Sequence, residues 1–136
     1  MKSSLYDQVT KKLMEDRHIL FAYLFGSFAQ DTQRSDSDID VAIYCDVIPS
    51  EMGQLDLAAH LMNITGRKVD LVVLNQAPPL LKFQVIKKGK ILFDRSGDLH
   101  THFCVQTLFE MDDIRLLLRR SNKIIVEQIR QEVLHG

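Results

Sequence analysis

Seven apolar residues, a Gly-Ser pair, ten further residues and then Asp-x-Asp form the feature that most limits how this chain can fold. The segment reads ILFAYLFGS, a polar spacer, then DIDVAIY, from Ile19 to Tyr44. An apolar run that stops at glycine is a buried strand ending in a turn. Beyond the spacer, a second run alternates apolar and polar positions, the pattern of a strand with one face in a core. Residues two apart on a strand share a face and lie about 6.5–7 Å apart. Asp38 and Asp40 therefore project together, while Ile39, Val41 and Ile43 point the other way. Adjacent carboxylates repel unless a cation sits between them. An all-oxygen set at this spacing suits Mg²⁺, which keeps several waters and completes its shell with phosphate oxygens. Gly26 lets backbone approach a phosphate, and Ser27 adds a hydroxyl and an N–H where anions are favoured. A metal clamp beside a phosphate cradle implies nucleotide chemistry.

The remaining sequence reads as alternating strands and helices. Apolar positions Leu5, Val9 and Leu13 predict an amphipathic helix over 4–17, and strand one covers 19–25. Phe28 to Asp31 can form one or two helical turns, 32–37 a polar loop, and 37–45 strand two. After Pro49, Ser50 caps a helix carrying Leu55, Leu57, Ala58, Leu61 and Met62 that ends before Gly66. Strand three is expected over 68–74, a helix up to Lys88 with Gly89 as its stop, and strand four from Lys90 to Asp94. The fold class is thus α/β, a small mixed or mostly parallel sheet flanked by helices. Residues 1–97 read as the catalytic core. Residues 98–136, without proline and with glycine only at the end, read as a helical tail, either two helices or one long bent one. Its first half should cover the sheet. Beyond Arg120 less of the domain remains to pack against, so Ile124, Ile125, Val126 and Ile129 are expected to meet a partner.

Composition narrows the function further. The 136 residues suit one domain with one good core. A net charge of −1 leaves no broad electrostatic footprint for nucleic acid, so direct nucleic-acid binding is not expected. No stretch is apolar enough for a membrane span, and the start lacks the apolar core of a secretory signal. Cys45 and Cys104 read as reduced thiols, which together point to the cytoplasm.

The Gly26-Ser27, spacer, Asp38-x-Asp40 pattern resembles the nucleotidyltransferase superfamily, and in size and layout its minimal nucleotidyltransferases. The resemblance spans roughly residues 5–95 and implies that fold. It also implies a third acidic residue on a later strand, best matched by Asp70 in KVDLVVL, where flanking apolar residues predict a buried carboxylate needing a partner. The implied reaction moves a nucleoside monophosphate from a triphosphate to a hydroxyl, with two Mg²⁺ held by Asp38, Asp40 and Asp70. Asp70 would accept the acceptor's proton. Gly26 and Ser27 would hold the tail phosphates, with Arg34 a possible neutralising cation from the spacer. A lone catalytic domain with a helical tail is similar to antitoxins that transfer AMP from ATP to a tyrosine of a helical HEPN ribonuclease toxin. Two other readings stand beside it: a small-molecule nucleotidyltransferase of the aminoglycoside-modifying kind, and an antitoxin that acts by contact alone.

Weaker features have simpler explanations. Gln30 is a minor candidate in the spacer. Lys87, Lys88 and Lys90 could attract phosphate, although helix-end placement accounts for them. His100-Thr101-His102 could form a metal pair, Asp112-Asp113 a solvated face, and Tyr6, Tyr23 and Tyr44 packing.

Overall fold

A computed structural model describes residues 2–26 and 38–135. Ser27, Gln30 and Arg34, with the turns expected at 28–31, lie outside the described residues. The described elements run α1 (Lys2–Met14), β1 (Ile19–Phe25), β2 (Ile39–Cys45), α2 (Glu51–Thr65), β3 (Val69–Val73), α3 (Pro79–Lys88), β4 (Lys90–Asp94) and α4 (Leu99–His135). The four strands form one sheet in the order β3-β2-β1-β4. β1 is antiparallel to both neighbours and only β2 and β3 run parallel, so the sheet is mixed and not mostly parallel.

Alternation along β2 sorts its side chains as the sequence suggests. Ile39, Val41, Ile43 and Cys45 lie in a core with Val9 and Leu13 of α1 and Leu61 of α2. Their opposite numbers do not simply face water. Ala42 packs in a second core with Phe21, Tyr23, Leu74 and Val85, beneath α3 and α4. The expectation of one core is corrected to two layers of helices around a central sheet. Phe21, Tyr23 and Tyr44 take large aromatic side chains into the second core, where Phe21 stacks on Tyr44 with ring centroids 4.8 Å apart.

Local chemistry fixes the ends. Ser50 caps α2 by accepting from the Gly53 N–H, and the Gly66 N–H closes its last turn on Met62. Asn75 extends the end of β2, accepting from the Cys45 N–H at 3.0 Å and donating to its carbonyl at 2.8 Å. Arg95, just past β4, straps the chain entering β1: Nε donates to the Ile19 carbonyl at 3.0 Å, Nη1 to Met14 at 3.2 Å and Nη2 to Asp16 at 2.5 Å. Arg95→Ala leaves three carbonyls without that partner and should cost about 2 kcal/mol, a loss of about 6 °C in melting temperature. Arg95→Lys should recover little of it, since an ammonium cannot reproduce the fork. Thermal denaturation of both variants checks this.

The tail is one helix, α4, of 37 residues. Its first part packs on the second core through Phe103 and the fully buried Thr107, and Met111 is also buried. Further along, Leu116, Leu118 and Ile129 are exposed, consistent with a helix that outruns the domain. The side chains of Ile124, Ile125 and Val126 lie outside the described residues. No helix of the described residues is long and apolar enough to cross a membrane.

Candidate active site

The sheet has two unlike ends, and the sequence motifs converge at one of them. At that end β1 finishes, β2 and β3 begin, and β4 enters beside Leu24. Asp40 stands opposite Phe25 on one side and in register with Asp70 on the other. The parallel register of β2 and β3 thus brings together two carboxylates that are 30 positions apart in sequence. Asp38 precedes β2 by one residue and is exposed.

Gly26 completes the corner. Its φ of 76° lies in the left-handed region that L side chains rarely adopt. A Cβ on Gly26 would also overlap Oδ2 of Asp40. The glycine is therefore required twice, by backbone conformation and by the carboxylate packed against it. The sequence motif records a direct contact between its two halves.

Electrostatics mark Asp40 as the centre of the group. Burial raises its pKa above the ordinary carboxylate value, and the charges of Asp70 and then Asp38 raise it further, with a hydrogen bond that the protonated Asp40 carboxyl donates to Asp70 adding to the effect. Asp70 itself is exposed, which corrects the expectation of a buried carboxylate. β3 is an edge strand, so the apolar residues around Asp70 turn inward while Asp70 opens to solvent. It needs no buried partner.

The donor set fits Mg²⁺. It is all oxygen, and Asp40 carries the influence of both neighbouring carboxylates, Asp70 and Asp38. Among the described residues no three or more Asp, Glu, His or Cys side chains are grouped so as to hold a metal ion. Asp40 and Asp70 are brought into register at this end, with Asp38 just before β2.

Several residues singled out from sequence are placed elsewhere. His100 turns inward at the start of α4, where Nε2 meets the Tyr23 hydroxyl and Nδ1 lies 3.5 Å from Asp94. Ser96 donates to Asp94 at 2.6 Å, and His102 is exposed, so the His100–His102 metal pair is not formed. Burial raises the Tyr23 pKa, with Cys104 and Asp94 contributing. This network anchors α4 to β1 and β4. Nothing in the spacing of residues 23, 94 and 100 announces it, because the three meet only once the sheet forms. Tyr44 stacks in the core, as expected of a packing residue. Asp112 and Asp113 are exposed.

Comparison with known proteins places the fold in a family. Residues 7–98 match the family described as polymerase beta, nucleotidyltransferase. The chain belongs to that nucleotidyltransferase family. It is 35% identical over 99 residues to the protein adenylyltransferase MntA of Shewanella oneidensis, covering 71% of this chain and 70% of the relative. It is also 28% identical over 108 residues to the protein of the same name from Aphanizomenon flos-aquae, 68% of each chain. Among solved structures, a toxin–antitoxin crystal structure with AMP-PNP superposes with a TM-score of 0.73 at 29% identity, covering 91% of this chain and 97% of that one. The MNT antitoxin solved in complex with the tri-AMPylated Shewanella oneidensis HEPN toxin gives 0.71 at 25% identity, covering 95% and 98%.

Proposed function

We propose that this chain is a Mg²⁺-dependent protein adenylyltransferase that moves AMP from ATP to a hydroxyl, most suitably a tyrosine, of a HEPN-type toxin, and thereby acts as its antitoxin. The observation that carries the reading is the meeting of Asp40, in-register Asp70 and side-chain-free Gly26 at one end of the sheet. The similarity to MntA and to toxin–antitoxin structures, extending through α4, supports a protein acceptor.

Asp38, Asp40 and Asp70 would hold two Mg²⁺ ions. Bound there, the ions supply charge neutralisation for the triphosphate and polarise the α-phosphate and the acceptor oxygen. The chain's own groups do the rest. The acceptor oxygen attacks the α-phosphorus, the bond to the β-phosphate breaks, and pyrophosphate leaves. Asp70, exposed at the edge strand, takes the hydroxyl proton. Gly26 and Ser27 receive the tail phosphates on backbone N–H groups, and Arg34 adds a cation from the spacer. Chemistry thus belongs to residues 1–97, and residues 98–136 supply the surface beside which the toxin is presented.

Incubation with a HEPN-type toxin partner and ATP labelled on either the α- or the γ-phosphate tests the reaction class. Label from the α-position should enter the partner, with equimolar pyrophosphate released, and EDTA should abolish both. Transfer of the γ-label would make the protein a kinase and contradict the proposal.

A further inference from the structure

The three aspartates define where metal and acceptor meet, but among the described residues they leave the polyanionic donor tail without a cation. We infer that Lys88, at the last position of α3, meets the triphosphate and makes the site select a triphosphate donor over AMP. The inference rests on the adenylyltransferase reading above.

Topology carries it. α3 starts after the far end of β3 and finishes at Gly89, whose Cα abuts β1 immediately before the Gly26 corner. A Cβ at Gly89 would lie 3.3 Å from the Leu24 carbonyl and 3.2 Å from the Tyr23 ring. The helix therefore ends against β1 two residues before Gly26, at the same end of the sheet as Asp40 and Asp70.

Helical geometry then separates the flanks of α3. Residues advance by about 100° each, so with Val85 buried on the sheet, Lys82 and Phe83 turn to one side and Gln84 and Lys88 to the other. The first flank is occupied by α4: Lys82 pairs with Glu110 at 2.9 Å, and Arg115 lies 5.3 Å from the Phe83 ring. α4 begins beyond the C-terminal end of β4, beside Phe21, at the end of the sheet away from the aspartates. The flank carrying Lys88 consequently looks toward the aspartates.

The neighbouring lysines are already engaged. Lys87 lies 5.7 Å from the Phe83 ring and Lys90 5.9 Å from the Tyr6 ring. Lys88 is exposed and, among the described residues, makes no ion pair or ring contact. Placement at a helix C-terminus also favours a cation, so the test must separate a capping role from a binding one.

The measurement is ATP and AMP affinity together with transfer kinetics for Lys88→Met, Lys88→Arg and the control Lys87→Met. Lys88→Met should raise the KM for Mg²⁺-ATP by about 10-fold, leave AMP affinity unchanged and flatten the salt dependence of ATP binding. Lys88→Arg should restore much of the loss, and Lys87→Met should match the wild type. Unchanged ATP affinity in Lys88→Met, with or without a lower melting temperature, would reduce the lysine to a helix-end residue and overturn the inference while wild-type AMP transfer stands. Failure of the wild type to bind or use ATP would instead overturn the reading on which the inference rests.

Discussion

Asp40→Asn should abolish AMP transfer and make the metal-free protein more stable. Asp40 sits between Asp70 and Asp38, and its pKa is raised by burial and then by their charges. On the mechanism proposed above its removal takes away an oxygen ligand of Mg²⁺ and should lower turnover on the order of 10³-fold or more. The stability effect has the opposite sign. Because the folded-state pKa is raised, folding favours the protonated carboxyl. The associated stability is fully present below the unfolded pKa, near 4, and is lost as pH rises through the folded value. At neutral pH the ionised Asp40 therefore weakens the metal-free fold. An amide ends the repulsion, and with solvent screening of this partly exposed group the gain should be about 1 kcal/mol or less, a rise of about 2–4 °C. The difference should shrink as pH falls through the raised folded-state value and vanish below the unfolded one, near 4. Melting curves at pH 7 and pH 4 without Mg²⁺, beside a transfer assay, read both effects. A destabilised Asp40→Asn protein at neutral pH would show that the aspartates do not strain the fold.

Gly26→Ala should be strongly damaging. A φ of 76° costs a non-glycine residue about 1–2 kcal/mol, and the new Cβ would overlap Oδ2 of Asp40. The combined penalty should be on the order of 2–4 kcal/mol, with activity lower by about 100-fold or more even where the protein remains folded. Asp40→Asn/Gly26→Ala does not relieve the overlap, since the amide occupies the carboxylate's space. Asp40→Ala/Gly26→Ala does, and should recover roughly half the lost stability while remaining inactive. A double-mutant cycle on thermal stability reads that coupling. Additive effects would mean that the two residues do not touch.

Local pattern carried much of this architecture, and long-range pairing carried the rest. The buried run before Gly26 and the alternation of Ile39, Val41 and Ile43 identify two strands from residues alone, since burial on one face leaves a period-two record. Asp40 was legible for the same reason. The sequence places Asp70 on the strand it occupies but in surroundings it does not have. Apolar neighbours read as burial, and only the strand order shows that β3 is an edge. Strand order also decides that β1 is antiparallel to both its neighbours, which no local signal states. The contact of Tyr23 with His100 spans 77 positions and depends on how α4 crosses the sheet. Lys88 was visible as one of three clustered lysines, yet only the course of α3 distinguishes it from Lys87 and Lys90.

The most direct measurement of the central claim is the intact mass of the HEPN-type partner after incubation with this protein and Mg²⁺-ATP, with the Asp40→Asn variant in parallel. The proposal predicts one or more AMP-sized increments on the partner with the wild type, none with the variant, and localisation to a hydroxyl side chain. An unmodified partner that is nevertheless bound and silenced equally by both proteins would contradict it and leave a contact-only antitoxin.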